Sequence, residues 1–381
     1  MDFSLTDTQR LLVDSVERIL AERYSFRDRV AALASPTGWS RTLWNGLAEM
    51  GVTGLPFDES VGGHGGNAVD VMLVMQAFGG SLLVEPYLPS IVLAGRAFAK
   101  AGSQAQRAQY LWPIASGECI AAWAHGEPGN RMDPDLVRTQ VERDGAGWRV
   151  NGRKSQVLHG ASADCLVVSA RVGHAQGPMG LFAVDARAPG VAVHAMRRID
   201  GMPMAEIELR DVPVAASGQL DAAPDSLAVI HEVEDAATAA IVAEAVGAMD
   251  AALRLTLDYV KTRKQFGAPI GSFQALQHRA ADMHVAIEQA RSMAMFAAMS
   301  VDEPDPARRG AGVSAAKIVA ERAARLVGDS AIQLHGGIGM TNEHPIGHYA
   351  RKLATLRSSF GDTDFHARRL SRIGSVLEEE L

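Results

Sequence analysis

IHEVEDAATAAIVAEAVGAMDAALRLTLDYVKT, residues Ile230–Thr262, holds a helical spacing of apolar side chains for about nine turns without a proline. The same period recurs over Phe273–Val301 and Gly312–Leu334, with a shorter helix around Arg351. Three long helices and a short one predict an antiparallel bundle. Glu303–Arg309, with Pro304 and Pro306, reads as the linker between two of them.

Upstream of Asp225 the pattern changes. Ile120–Trp123, Asp164–Ala170, Gly180–Val184, Val191–Val193 and Ile207–Leu209 are short β-prone runs separated by Gly, Pro and Asp, which predicts an antiparallel barrel or sandwich. Trp148-Arg149-Val150 runs into Asn151-Gly152, a dipeptide that predicts a hairpin turn. The first third is helical again. A capping residue at Ser4–Asp7 precedes Leu11, Leu12, Val16, Ile19 and Leu20, and Trp39–Met50 and Val69–Phe78 repeat the period, the latter expected to break at Gly79-Gly80. The expected class is α+β, with a helical domain at 1–116, a β domain at 117–224 and a helical bundle at 225–381.

The 381 residues are 47% hydrophobic and 21% charged, the balance of a globular chain. Lys+Arg 37 against Asp+Glu 44 gives a net charge of -7, which disfavours nucleic acid or an anionic membrane as partner. Two cysteines, Cys119 and Cys165, supply neither a disulfide framework nor a Cys-rich metal site, so no metal is expected. The opening MDFSLTDTQRLLVDS has no basic-then-apolar leader pattern, and no window reaches the roughly 18 apolar residues of a membrane span, so a cytoplasmic location is expected.

Phosphate loops ending in GK[ST], HExxH, and GxGxxG between strand and helix are all missing. The loop glycines Gly62, Gly63, Gly65 and Gly66 follow no strand and read as a flexible loop. Two other segments carry chemistry. Arg263, Phe266, Gly267, Ile270 and Gln274 put a guanidinium, an aromatic, a turn and an amide at the end of a long helix, a set that can clamp a phosphate and pack an adenine edge. Gln333 with Gly336, Gly337 and Gly339 exposes backbone N–H groups where no side chain blocks a pyrophosphate. A helix C-cap needs one glycine, not three.

In this order, MDFSLTDTQRLL, GLPFDESVGGHGG, HGEPG (His125–Gly129), WRVNGRKSQVLHGA, TRKQFGAPIGSFQALQ and QLHGGIGM resemble the motifs of the FAD-dependent acyl-CoA dehydrogenase family over essentially the whole chain. The resemblance implies a helical domain, a β barrel and a four-helix bundle, an acyl-CoA substrate, FAD, and electron-transfer flavoprotein as acceptor. It implies that Arg263, Phe266, Ile270 and Gln274 reach a neighbouring subunit's FAD, with Gln333, Gly336 and Gly337 as the pyrophosphate turn.

The half of the flavin site that a subunit supplies to itself departs from the family. Glu127-Pro128-Gly129 runs into Asn130-Arg131-Met132 instead of Gly-Ser-Asp, and Gln156 and Leu158 stand where an aromatic and a hydroxyl are usual. The family's carboxylate base has two known positions, and here they hold Phe360, before Gly361, and Ala237. Neither accepts a proton. Asp362, Asp364, Glu234, Asp235 and Glu244 are the nearby carboxylates, with Asp362 and Asp364 the best substitutes by proximity in sequence. The pattern implies the partner-type subunit of a heteromeric dehydrogenase. A self-sufficient homo-oligomer with a displaced base, and a non-catalytic scaffold subunit, are the alternatives.

Overall fold

The computed structural model describes residues 4–130 and 133–379; Arg131 and Met132, singled out above, lie outside them. The chain forms two compact units that interleave along the sequence.

The first unit gathers Met1–Arg29, Ala68–Leu83 and Thr238–Leu381. Helix α1 (Asp7–Arg23) opens with a capping box in which the Thr6 hydroxyl accepts from the Gln9 N–H and the Gln9 side chain accepts from the Thr6 N–H. Helix α2 (Phe26–Ala34) begins in this unit and ends in the second, which also holds α3 (Arg41–Glu49), and α4 (Ala68–Ser81) belongs to the first. Gly79-Gly80 does not break α4, contrary to expectation. A Cβ on Gly79 would collide with the Glu244 carbonyl and one on Gly247 with the Gln76 carbonyl, so the glycines let two helix backbones touch.

The second unit gathers Val30–Asn67 and Val84–Ala237. Its glycine-rich loop is tightly folded: Gly63, Gly65 and Gly66 donate to the carbonyls of Asp58, Phe57 and Leu55. Short helices α5 (Arg96–Ala101), α6 (Gln104–Gln106) and α7 (Trp112–Ala115) precede the sheet. The strands are β1 (Ala121–Ala124), β2 (Gln140–Asp144), β3 (Gly147–Leu158), β4 (Cys165–Val172), β5 (Met179–Asp185), β6 (Val191–Arg197), β7 (Pro203–Val214) and β8 (Gln219–Leu220), in the order β6-β7-β3-β2-β4-β5-β8 with β1 also on β4. The sheet is mainly antiparallel, but β1 and β2 both run parallel to β4. Trp148, Val150, Val168, Phe182, Val184, Ile207 and Val212 are among the residues filling its core.

Asn151-Gly152 is not a turn. It lies inside β3, and the chain reverses at Gly145-Ala146, between the paired Asp144 and Gly147. Gly152 is required because a Cβ would strike the Thr139 side chain, and the Asn151 amide bonds Asp211 on β7 from both ends, at 3.0 and 2.8 Å.

Helix α8 (Ser226–Thr262) begins in the second unit and continues into the first. It alone among the described residues has the length and hydropathy of a membrane span, yet its most apolar window is 94% buried, as suits a core helix. A two-strand hairpin, β9 (Lys264–Gln265) with β10 (Ala268–Pro269), leads to α9 (Gln274–Val301). Helix α10 (Pro306–His335) starts earlier than the proline-rich linker suggested, because Pro306 sits in its first turn, where no N–H is needed, and Asp305 caps it through the Ala307 N–H at 2.8 Å. Helices α9 and α10 pack through buried stripes rich in alanine. Helices α11 (Pro345–Thr355) and α12 (Thr363–Glu379) complete the unit.

Candidate functional site

In the first unit, α8 ends just before Arg263, and the β9–β10 hairpin turns on Phe266 (φ 54°) and Gly267 (φ 79°). Two successive positive φ values make the two-residue turn that matches strand twist. The turn pushes the Phe266 ring outward until it is 91% exposed, with Phe273 edge-on at 6.2 Å. Arg263 and Gln274 are exposed beside it, and Ile270 is half-buried, its N–H donating to the Arg263 carbonyl at 2.8 Å.

The glycine turn after α10 lies next to this segment. Tyr259, one helical turn before Arg263, stacks on His335 with ring centroids 4.5 Å apart, and His335 immediately precedes Gly336. The His335 Nδ1 bonds the Ala331 carbonyl at 2.8 Å, and burial, opposed by that bond, lowers its pKa. Gln333, Gly336 and Gly337 are exposed. Gly336 has φ 62° and ψ -138°, a backbone that needs glycine. Gly337 has neither a positive φ nor any atom within 4 Å of where a Cβ would stand. Nothing in the chain itself requires a glycine there, which fits an anionic group approaching the backbone from outside. Ile338 and Met340, in the same turn, are also exposed.

Phe360 is half-buried with φ 54°, next to Gly361 with φ 93°. Lys317 Nζ donates to the Gly361 carbonyl at 2.6 Å, and His366 Nε2 bonds the Phe360 carbonyl at 2.9 Å. Asp362 accepts from the Phe365 N–H at 2.8 Å and caps α12, while Asp364 is exposed in its first turn. Glu244 pairs with Lys352 at 2.5 Å, and Ala237 is fully buried. In the second unit Glu234 accepts from Trp123 Nε1 at 3.4 Å, and Asp235 is buried.

The second unit carries a buried polar cluster under the His125–Gly129 segment. The Glu127 carboxylate accepts from the Arg138 and Thr139 N–H groups at 2.7 and 3.0 Å, from the Thr139 hydroxyl at 2.6 Å, and from Lys154 Nζ at 2.7 Å. Lys154 also donates to the His125 carbonyl and to Ser169 Oγ, both at 3.1 Å. Burial pushes the Lys154 pKa down to about 8, against the pull of Glu127. Burial works to raise the Glu127 pKa, but Lys154 and the hydrogen bonds outweigh it and leave it lowered. Both groups are occupied in holding the loop. Gln156 (φ 55°) is exposed at a β-bulge between Lys154 and Val157, and Leu158 is half-buried.

Sequence reasoning missed Lys317, His366 and the Tyr259–His335 stack. One signal was present: a lysine inside the otherwise apolar run AAKIVA of α10.

Comparison with known proteins covers most of the chain. Family models described as the N-terminal, middle and C-terminal domains of acyl-CoA dehydrogenase match residues 6–118, 122–212 and 229–374. Benzylmalonyl-CoA dehydrogenase of Aromatoleum aromaticum is 30% identical over 92% of this chain and 93% of its own. Probable acyl-CoA dehydrogenase YngJ of Bacillus subtilis is 28% identical over 98% and 99%. A chain of the ChsE4-ChsE5 complex from Mycobacterium tuberculosis superposes with a TM-score of 0.89 at 28% identity, covering 98% of each chain. The chain belongs to the acyl-CoA dehydrogenase family of FAD-dependent oxidoreductases.

Proposed function

We propose that this chain is the base-lacking subunit of an assembled acyl-CoA dehydrogenase and completes the FAD site of a neighbouring chain. The reaction removes a proton from Cα and a hydride from Cβ of an acyl thioester. FAD, when bound, supplies the hydride acceptor. This chain's part is positional. Arg263 offers a guanidinium to a phosphate oxygen, Phe266 and Ile270 an apolar surface to the adenine, and Gln274 and Gln333 amide donors and acceptors. Gly336 and Gly337 leave backbone N–H groups open to the pyrophosphate. The observation that carries the reading is Gly337, whose missing side chain serves nothing inside the chain.

The missing base supports a partner. Phe360 and Ala237 cannot take the Cα proton, so a chain with a carboxylate at that position has to supply it. A displaced base at Asp362 or Asp364 fares worse, since one caps α12 and the other is solvent-exposed. The likeness to a structure described as a complex of two differently named chains supports a heteromer. Electron-transfer flavoprotein is the proposed acceptor. The test is transfer of a defect between chains: Arg263→Ala with Phe266→Ala in this chain, assembled with its partner, lowers FAD content by at least about tenfold. Unchanged FAD content in that complex would refute the reading.

A further inference from the structure

The turn at Phe360-Gly361 is held more firmly than an inert phenylalanine needs. Its two consecutive carbonyls are pinned by side chains from two different helices, Lys317 of α10 at 2.6 Å and His366 of α12 at 2.9 Å. The other nitrogen of His366 bonds Ser314 Oγ at 3.1 Å, so with Nε2 donating to the carbonyl, Nδ1 accepts from the serine hydroxyl. Lys317 has no exposed surface, and its ammonium is balanced by Glu321, 3.5 Å away on the next helical turn. Glu321 in turn lies 3.5 Å from Arg357, in the segment that enters the turn. Gly361 cannot change, because a Cβ would strike the Phe365 ring and come within 2.9 Å of His366 Nε2.

This arrangement imposes a backbone that phenylalanine does not choose. A non-glycine residue at φ 54° persists only where its surroundings over-determine it. Burying an ammonium group is costly unless its hydrogen bonds are made, so a lysine used to hold a backbone carbonyl needs a reason.

We propose that Lys317 and His366 are positioning residues that fix the Phe360-Gly361 turn, so that whatever side chain stands at 360 is presented in one orientation. The proposal rests on the reading of Phe360 as the vacated base position. The carboxylate has gone, and the device that would aim it has stayed. The chain is thus set up to present a carboxylate at 360 without rebuilding α10 or α12.

The test is hydrogen–deuterium exchange by mass spectrometry on the full chain, with thermal midpoints measured beside it. Lys317→Met is expected to speed exchange at residues 359–362 roughly tenfold or more, with no change in peptides from the middle of α9, and Lys317→Arg is expected to restore protection. Phe360→Gly removes the left-handed penalty and should raise the midpoint in the native background but not with Lys317→Met, because the turn is then free to leave φ 54°. Unchanged exchange at 359–362, equal acceleration throughout the bundle, or the same Phe360→Gly shift in both backgrounds would overturn the proposal. If Lys317→Met fails to fold, His366→Leu carries both measurements under the same criteria. An unchanged exchange result removes the clamp and leaves the assembly reading standing; a lone chain that binds its own FAD removes that reading and leaves the exchange result standing.

Discussion

Lys154 and Glu127 meet at 2.7 Å inside the β unit, with side-chain exposures of 0% and 4%. The pair fastens the HGEPG segment to β3, and every oxygen of the carboxylate is in use. Removing one partner leaves the other as an uncompensated buried charge, which costs about 3–5 kcal/mol. Lys154→Met and Glu127→Leu are therefore each expected to lower stability by that order in urea unfolding, and the double variant to lose much less than the sum. Additive losses would show that the two charges do not interact.

Two buried histidines contribute to the response to acid. Burial first, then the Lys154 charge, lowers the pKa of His125 to about 3; burial and Arg198, opposed by the Val84 carbonyl, lower that of His159 to about 3. In the unfolded chain a histidine takes its proton near pH 6.5, while these two remain neutral in the fold. The unfolded state therefore binds more protons as pH falls from about 6.5 toward 3, and stability drops across that window by up to about 1.4 kcal/mol per pH unit for each histidine. His159→Gln, which keeps a donor for the Val84 carbonyl, should flatten the melting midpoint's dependence between pH 6.5 and 4.5. A slope identical to the native chain would reject the assignment.

Gly336 and Gly337 should separate backbone strain from ligand approach. Gly336→Ala forces a side chain into φ 62° and is expected to destabilise the lone chain by about 1–2 kcal/mol. Gly337→Ala meets no atom and should leave the lone chain's midpoint unchanged or slightly higher, yet lower the FAD content of the assembled complex. Thermal melts beside flavin absorbance read both effects. A midpoint loss at Gly337→Ala equal to that at Gly336→Ala would mean that the turn's own packing, not a ligand, demands both glycines.

Much of this was legible in the sequence. The helix over Ile230–Thr262 and the strand at Cys165–Val172 announce themselves because most of their positions are buried on every side, so the chain there is a long or a short apolar run. What failed were local glycine signals overruled by distant contacts. Gly79 reads as a helix stop but answers to the Glu244 backbone, and Asn151-Gly152 reads as a turn but answers to Thr139 and Asp211. The same limit hid the clamp on Phe360: Lys317 precedes it by more than forty residues, and only the folded chain brings the ammonium to the Gly361 carbonyl. The turn within Arg263–Gln274 was readable because its residues are contiguous in the chain.

Asp362 and Asp364 supply a test of the displaced-base alternative. Asp362→Asn keeps an acceptor for the Phe365 N–H, so neither stability nor turnover of the assembled complex should change; Asp362→Ala should cost about 1 kcal/mol through the lost cap of α12. Asp364→Asn should change neither quantity. Loss of turnover with FAD retained, in either Asn variant, would transfer the base to this chain.

Flavin stoichiometry decides whether this chain acts as the base-lacking subunit of a pair. The chain purified alone and the chain purified with its partner subunit are compared for FAD per polypeptide by absorbance after denaturation. Little or no FAD is expected on the lone chain, and one FAD per pair of chains in the complex. One FAD per polypeptide on the lone chain, together with dehydrogenase turnover, would contradict that role.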